Sequence, residues 1–297
     1  MTQIQITKLT NFTGHTSGIF CLQAVDAHTF ISAGGDGQVV QWNVKHPEEG
    51  KVIAKVNSTI YGLRVDGDRL LVGENGRALH LIDLKQNNVL RSVEIKSPIF
   101  AIERLGEYYL IGTGAGEIFV FDTSLNYLQK VRHSTKSVRA FALNASDLAV
   151  AYSDNTIRIL DPADFSIKYE LSGHTLSVFA LSYHPAHHWL VSTGRDAHIR
   201  VWDTYEHYKE IMNVPAHMYA SNHLVFHPST KYFATGSMDK TIKIWDATTF
   251  ALLKVIDKAR HGGHTNSVNK LLWMDFDNLL VTCSDDRTIA VWDIKFD

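Results

Sequence analysis

Apolar and polar residues alternate with a period of two in short segments along the whole chain. The pattern is clearest at residues 198–202 (His-Ile-Arg-Val-Trp) and 241–245 (Thr-Ile-Lys-Ile-Trp), and turn residues separate such segments. Successive side chains of a β-strand point to opposite faces of the sheet, so this alternation predicts strands joined by turns. No segment sustains the i, i+3, i+4, i+7 apolar spacing of an amphipathic helix. The sequence therefore predicts an all-β protein.

An apolar residue followed by Asp or Asn ends a predicted strand seven times. The seven pairs are Trp42-Asn43, Ile82-Asp83, Phe121-Asp122, Leu160-Asp161, Trp202-Asp203, Trp245-Asp246 and Trp292-Asp293. Their spacings are 40, 39, 39, 42, 43 and 47 residues, close to the period of about 40 to 45 residues that is typical of four-stranded propeller blades. The repeats predict a single domain over residues 1–297, a seven-bladed β-propeller with four-stranded antiparallel blades.

The two ends of the chain complete this interpretation. The last repeat stops after its third predicted strand, at residues 289–294, whereas residues 3–10 precede the first repeat and carry apolar Ile4, Ile6 and Leu9. We expect this N-terminal strand to complete the last blade and close the propeller, because pairing the two segments removes an exposed sheet edge.

Four repeats share a set of polar residues, called a tetrad below. Each tetrad has a Ser or Thr four positions before an Asp, a Trp six positions after that Asp, and a His near the start of the repeat. The tetrads are His15, Ser32, Asp36 and Trp42; His174, Ser192, Asp196 and Trp202; His217, Thr235, Asp239 and Trp245; and His264, Thr282, Asp286 and Trp292.

Repeats 2, 3 and 4 depart from the tetrad pattern. Their Ser/Thr, Asp and Trp positions hold Val72, Gly76 and Ile82, then Ile111, Ala115 and Phe121, then Val150, Asp154 and Leu160, with His133 in a shifted register. Losing the polar members together leaves no buried group without a partner. An apolar blade is therefore a consistent alternative for these three repeats.

The chain resembles the WD-repeat β-propeller family over its whole length. The resemblance rests on Gly14-His15, Gly173-His174, Gly263-His264 and three Trp-Asp pairs in register with them. It implies that each tetrad is a chain of hydrogen bonds from indole to hydroxyl to imidazole to carboxylate, in which every buried polar group has a partner. Ser, His and Asp also form nucleophilic triads, but a set that recurs four times with a Trp favours a structural role. We predict no catalytic residues.

The resemblance also implies where a partner binds. In WD-repeat propellers the residue after the apolar Val or Ile of the first strand, and the residue before the turn Asp, line the mouth of the central channel. The first-strand positions are Phe20, Tyr61, Phe100, Arg139, Phe179, Asn222 and Asn269. The pre-turn positions are Gly35, Asn75, Gly114, Ser153, Arg195, Met238 and Asp285. Aromatic residues and Arg are common interface hot spots, which favours a peptide-binding mouth, although the aromatic rings could instead fill gaps between blades.

Composition narrows the chemistry further. The 16 histidines include no His-x-x-x-His pattern on a helix and no paired cysteines accompany them, so we predict no metal and no cofactor. Cys21 and Cys283 lie 262 residues apart and are expected to be free buried thiols. A net charge of -2 gives no general attraction to nucleic acid or to an anionic membrane. Without a signal peptide or a long apolar run, the expected location is the cytoplasm.

Together these observations predict a non-enzymatic interaction scaffold or adaptor. We expect a monomeric propeller that acts as a subunit of a complex and binds a protein or peptide at the channel mouth. Two alternatives stay open. One is a propeller enzyme acting on a small substrate in the channel, for which Asp285 is the lone acid among the expected mouth positions. The other is a subunit of a nucleic-acid-associated complex, which should show a basic stripe.

Overall fold

A computed structural model describes residues 4–296 of the chain. Its first strands are β1 (Ile4–Phe12), β2 (Ile19–Ala24), β3 (Thr29–Gly34), β4 (Gln38–Asn43), β5 (His46–Lys55), β6 (Ile60–Asp66), β7 (Arg69–Glu74), β8 (Ala78–Asp83), β9 (Asn88–Glu94), β10 (Ile99–Leu105), β11 (Tyr108–Thr113), β12 (Glu117–Asp122), β13 (Tyr127–Arg132) and β14 (Val138–Leu143). The strands that follow are β15 (Leu148–Tyr152), β16 (Thr156–Leu160), β17 (Ile167–Ser172), β18 (Val178–Tyr183), β19 (Trp189–Gly194), β20 (His198–Asp203), β21 (Lys209–Pro215), β22 (Ser221–Phe226), β23 (Tyr232–Ser237), β24 (Ile242–Asp246), β25 (Leu252–Ile256), β26 (Val268–Trp273), β27 (Leu280–Ser284) and β28 (Ile289–Phe296). A single-turn helix, α1 (Lys258–His261), precedes β26.

The strands of residues 4–296 form seven four-stranded antiparallel sheets. Six sheets are built from four consecutive strands each, beginning at β2, β6, β10, β14, β18 and β22, and the seventh has the order β1-β28-β27-β26. The predicted all-β class and the seven four-stranded antiparallel blades of a β-propeller are confirmed. The period of the sequence repeat sets this result, because each repeat supplies one hydrogen-bonded sheet.

The chain divides into two compact units, which are described separately. The first unit comprises residues 1–59 and 217–297, and its described part contains the sheets that begin at β2 and β22 together with the β1-β28-β27-β26 sheet. The second unit, residues 60–216, contains the four sheets that begin at β6, β10, β14 and β18. The single domain expected over residues 1–297 stays a prediction.

The N-terminal strand completes the last sheet, as expected from the sequence. β1 pairs with β28 from Ile4 opposite Phe296 to Phe12 opposite Ile289, with a register shift between Lys8 and Thr10. Gln3, the first residue of the strand predicted from the sequence, lies outside the described residues. One sheet therefore joins the two ends of the described chain through main-chain hydrogen bonds.

Burial falls from the second strand of a sheet to the fourth. Every residue of β3, β15 and β27 is buried, whereas six of the seven residues of β9 are exposed. Sheets of the same unit pack against each other through their first strands, with β6 next to β10, β10 next to β14 and β14 next to β18. A second strand covered on both faces reads as a continuous apolar run, which explains why Thr29–Gly34 does not alternate.

Phe12 shows how the N-terminal strand is held in the first unit. Its side chain is 1% exposed, and its ring lies edge-on to Phe30 at 5.3 Å and to Trp42 at 5.2 Å between centroids. The hydrophobic contact of Phe12 therefore links β1 to β3 and β4 of another sheet in the same unit.

Substitution of Phe12 tests this contact. We expect Phe12→Ala to lower the free energy of unfolding by about 3 to 5 kcal/mol, because it leaves a cavity against two aromatic rings. Leu9→Ala is the matched control, since Leu9 lies on the same strand with 51% of its side chain exposed, and we expect it to change stability by less than about 0.5 kcal/mol. Urea denaturation followed by tryptophan fluorescence measures both, and equal losses would contradict the packing described here.

Candidate functional site

A β-bulge occupies the same place in all seven described sheets. In β10, Ile99 pairs with Thr113 and Ala101 with Gly112, so Phe100 is an extra residue without a partner across the ladder. The equivalent shifts occur between Ile60/Gly62, Val138/Ala140, Val178/Ala180, Ile19/Cys21, Ser221/His223 and Val268/Lys270. The skipped residues are the seven first-strand positions named from the sequence. Bulges of this kind re-aim a side chain and are frequent beside functional sites.

Four bulge residues of the second unit form a continuous group, called the aromatic cluster below. The rings of Tyr61 and Phe100 lie 5.5 Å apart between centroids. The Arg139 guanidinium carbon lies 4.3 Å from the Phe100 centroid and 4.8 Å from that of Phe179. All four side chains are partly buried. The rings therefore bridge neighbouring sheets, as the gap-filling alternative requires, and still keep accessible surface for a partner.

The bulge residues of the first unit use their polar groups within the protein. Asn222 donates both hydrogens of its amide, to Ser267 Oγ and to the Val268 carbonyl, each at 2.9 Å. Asn269 donates to the Ile19 carbonyl at 2.9 Å and to Asp285 Oδ1 at 2.8 Å. Both side-chain amide groups use their N–H donors within the protein, and these hydrogen bonds connect neighbouring sheets of the first unit. Phe20 is partly buried.

The pre-turn positions divide by exposure. Arg195, Met238 and Asp285 are exposed, whereas Gly35, Asn75, Gly114 and Ser153 are partly buried. Met238 is 58% exposed, and the nearby Met218 and Tyr219 are 83% and 61% exposed. The Met238 N–H donates to the Ala220 carbonyl at 2.9 Å, and Ser237 Oγ donates to the Tyr219 carbonyl at 3.2 Å. Met218 and Tyr219 are candidate binding residues that the sequence analysis missed, although they directly follow the tetrad residue His217.

Each tetrad is a continuous chain of hydrogen bonds from the Trp indole to the Asp carboxylate. The Trp Nε1 to hydroxyl distances are 2.7 to 3.0 Å, those from hydroxyl to His Nε2 are 2.7 to 2.9 Å, and those from His Nδ1 to the Asp are 2.9 to 3.0 Å. An indole only donates and an ionised carboxylate only accepts, so the hydroxyl must donate to Nε2 and Nδ1–H to the Asp. The Asp also accepts the backbone N–H of the residue after the His, which is Thr16, Thr175, Met218 or Thr265.

Two sheets without a tetrad contain other polar networks. In the β6–β9 sheet, His80 bridges Glu74 Oε2 at 3.2 Å and Ser92 Oγ at 2.8 Å. In the β14–β17 sheet, Asp154 accepts hydrogen bonds from Ser134 Oγ, Thr156 Oγ1 and Arg158 Nη1 at 2.6 to 2.9 Å. The apolar alternative therefore does not describe these two sheets. Asp154 keeps the Asp position of the tetrad, and its partners, like Glu74, His80 and Ser92, lie outside the tetrad register.

The tetrad of the β22–β25 sheet perturbs two pKa values. Burial disfavours the charged form of Asp239, yet hydrogen bonds from His217, Thr241 and the Met218 N–H hold its pKa well below the ordinary value. Burial lowers the pKa of His217, and the carboxylate of Asp239 only partly opposes this effect. The stable form is therefore a neutral imidazole beside an ionised carboxylate.

The two cysteines and a small group of His and Glu side chains belong to the first unit. Cys21 and Cys283 are buried thiols, and burial raises the pKa of the Cys21 thiol to about 12. His46, Glu48 and Glu49 each bring one ligand atom within 4.8 Å of the others, but all three side chains are exposed. Exposed carboxylates commonly cluster without a metal, so the absence of a metal site stays a prediction.

A groove in the first unit was also not foreseen. It has a volume of about 810 Å³ and is lined in part by His227, Tyr232, Phe276 and Phe296. The Tyr232 and Phe296 rings stack on each other at 3.8 Å, and His227 lies edge-on to Phe296 at 5.3 Å. Its aromatic side chains are thus largely paired with one another.

Over residues 4–296, no helix combines the length and hydropathy that crossing a bilayer requires.

Comparison with known proteins identifies the repeat. The family model described as "WD domain, G-beta repeat" matches residues 6–43, 165–203, 208–246 and 257–293, together just over half of the chain. Each matched segment contains one complete tetrad. The three repeats without a match are the three that lack a tetrad.

The curated relatives are similar over part of the chain. TBC1 domain family member 31 from Homo sapiens is 28% identical over 106 residues, which are 35% of this chain and 10% of that protein. THO complex subunit 6 homolog from Danio rerio is 26% identical over 137 residues, 40% of this chain and 41% of that protein. The matched region thus spans about a tenth of the first relative and less than half of the second.

Acid titration tests the Asp239 tetrad. Because the folded-state pKa of Asp239 is depressed, its contribution is complete above the unfolded-state pKa of about 3.9 and is lost as pH falls toward the folded-state pKa. His217 acts in the same direction below about pH 6.5, since its folded-state pKa is also lowered. We expect Asp239→Asn to cost about 1 to 3 kcal/mol at pH 7, and this difference should shrink below pH 4.

Urea denaturation between pH 7 and pH 2.5 measures this difference. Asp277→Asn, which changes an exposed carboxylate of the β26–β27 loop, is the control and should follow the wild-type curve. A stability difference between wild type and Asp239→Asn that stays constant over this pH range would show that the ionised carboxylate is not what stabilises the tetrad.

Proposed function

The chain belongs to the WD-repeat family, whose propellers generally mediate protein–protein interaction, and from this premise we propose that it is a non-enzymatic scaffold or adaptor. Its partner is a protein or peptide segment that binds over the aromatic cluster of Tyr61, Phe100, Arg139 and Phe179. The observation that carries the proposal is the run of β-bulges, which re-aim four neighbouring large side chains of the second unit while leaving them partly exposed.

The aromatic cluster has the physical properties of a binding surface. Tyr and Phe supply a large contact area with few rotatable bonds, so fixing them on binding costs little conformational entropy. Contacts between Tyr61 and Phe100, and between Arg139 and both Phe rings, already hold these side chains in place. The surface is therefore preorganised, which favours affinity for a peptide without rearrangement.

The tetrads support a scaffold over an enzyme. Ser32, Ser192, Thr235 and Thr282 are fully buried, and each hydroxyl bonds both an indole and an imidazole. A nucleophile in such a position can reach no substrate, and the Asp that would orient the base is held by a turn. The Ser92, His80 and Glu74 network places its serine on β9, an open strand whose residues are exposed except Val93. It lacks the enclosing walls that acyl transfer needs.

Two further features belong to the proposal. The exposed Met218, Tyr219 and Met238 offer a flexible apolar surface in the first unit that can contact the same or another partner. The similarity to the THO complex subunit 6 homolog from Danio rerio supports a role as a complex subunit. The cytoplasmic location expected from the sequence stays a prediction.

Paired substitutions test binding at the aromatic cluster. We expect the double variant Tyr61→Ala/Phe100→Ala to weaken partner binding at least about tenfold, because buried aromatic anchors dominate interface energies. The control is Tyr127→Ala/Tyr205→Ala, which removes two aromatic rings of the second unit that are 58% and 71% exposed. Affinity purification with quantitative mass spectrometry compares the partners retained by each variant, and thermal melting confirms that both fold.

Site-specific photocrosslinking locates the contact directly. A benzophenone amino acid in place of Phe179 should give discrete adducts with the retained partners, whereas the same group in place of Tyr205 should not. Identical partner sets for the two double variants, or equal crosslinking at the two positions, would show that the partner binds elsewhere.

A further inference from the structure

Arg139 has no polar partner in the described part of the chain. Its guanidinium contacts the rings of Phe100 and Phe179 at 4.3 and 4.8 Å, but no hydrogen bond or ion pair to a described residue accompanies these contacts. The Nε atom is buried and without an acceptor. Burial lowers the pKa of Arg139, which means that its surroundings disfavour the charge. The side chain is thus a partly buried cation that contacts aromatic rings and no acidic group, and its Nε atom has no acceptor.

The other partly or fully buried arginines are all paired. Their acceptors are Glu103 for Arg64, the Thr123 carbonyl for Arg69, Asp66 for Arg104, Asp154 and Glu170 for Arg158, and Glu210 for Arg200. The described residues lacking such a partner also include Arg195 and Arg287, but these two are exposed and hydrated. Arg139 departs from the way this protein treats every other buried guanidinium.

An unpaired buried charge is unfavourable unless something compensates for it. Cation–π contacts return only part of this cost, and the guanidinium N–H donors have no acceptor among the described residues. A planar carboxylate accepts two parallel hydrogen bonds from a guanidinium, and such charge-assisted bonds are roughly twice as strong as neutral ones. A bound carboxylate would therefore satisfy the group that the protein leaves unsatisfied.

We propose that Arg139 is the specificity residue of the aromatic cluster and binds the side-chain carboxylate of an Asp or Glu in the partner segment. The inference rests on the proposed function, because it assigns the chemistry of what binds there. Phe100 and Phe179 hold the guanidinium in position, so its rotamer freedom is already lost before binding. The aromatic surface continues beyond Arg139 on both sides, to Tyr61 with Phe100 and to Phe179, so the acidic residue lies within the bound segment.

The geometry favours a carboxylate over a phosphate. A phosphoryl group carries a charge of about -1.5 to -2 and is bound by clusters of arginines. The aromatic cluster contains a single cation, Arg139, whose charge matches one carboxylate. Neighbouring aromatic residues supply apolar contact and no further charge.

Peptide selection on the full chain tests the proposal. A random peptide phage library is selected on the wild-type protein and counter-selected on Tyr61→Ala/Phe100→Ala, which retains only peptides that need the aromatic cluster. Synthetic peptides are then titrated by isothermal calorimetry, each also with its Asp and Glu residues changed one at a time to Asn and Gln. A version with an amidated C-terminus separates a side-chain carboxylate from a terminal one.

We expect one acidic residue whose neutralisation weakens binding to the wild type at least about tenfold. The same change should weaken binding to Arg139→Met less than about twofold, because the methionine fills the space between the rings without charge. Arg139→Lys should bind with intermediate affinity, since an ammonium cannot form the bidentate contact. Arg139→Met should melt within about 2 °C of the wild type or above it, because it removes an unpaired charge.

Other outcomes separate the two proposals. Cluster-dependent peptides whose affinity ignores their acidic residues, or depends only on the terminal carboxylate, would overturn the role of Arg139 and leave the proposed function standing. Equal losses with wild type and Arg139→Met would have the same meaning. Failure to recover any cluster-dependent peptide would overturn the proposed function and this inference together.

Discussion

The β-bulge in the first strand of each sheet is the constraint on which the candidate site depends. One extra residue in each of these strands breaks the ladder, and the skipped side chain leaves the regular alternation between the two faces. In the second unit this places Tyr61, Phe100, Arg139 and Phe179 in contact although each belongs to a different sheet. A regular ladder at these positions would keep each side chain in the alternating pattern of its own strand.

Hydrogen-bond satisfaction explains how the sheets differ from one another. Four sheets tie the buried end of a strand to a turn through a tetrad, in which no polar group lacks a partner. Two other sheets contain hydrogen-bond networks made of different residues. One joins Glu74, His80 and Ser92, and the other joins Asp154, Ser134 and Arg158. The free energy of a single bond is modest, whereas an orphaned buried group costs more, so whole networks are kept or replaced together. The tetrad is therefore one of several ways in which these sheets give their buried polar groups a hydrogen-bond partner.

Arg139 differs from the other partly or fully buried arginines because its guanidinium has no acceptor within the described residues. Within residues 4–296 the guanidinium groups of the other partly or fully buried arginines each have an acceptor, whereas that of Arg139 lies between two rings without one. Strain and unsatisfied groups persist at binding sites because the partner relieves them, at a cost to the stability of the free protein. In the function proposed above, the Arg139 guanidinium binds an acidic residue of the partner segment.

The spacing of the seven apolar–Asp/Asn pairs, from Trp42-Asn43 to Trp292-Asp293, by itself determined the repeat and the four-stranded blades. The incomplete last repeat then determined the pairing of the N-terminal strand with β28, because an exposed sheet edge needs to be covered. The resemblance to WD-repeat propellers, applied in this register, identified Phe100 and Arg139 as candidates, and the structure places a β-bulge at both positions. Only the tertiary structure decided that the side-chain amides of Asn222 and Asn269 form hydrogen bonds within the protein. It also decided that Met218 and Tyr219 are exposed and that His80 pairs with Glu74. These outcomes depend on which atoms of distant strands come within hydrogen-bonding distance, and a one-dimensional period carries no information about such distances.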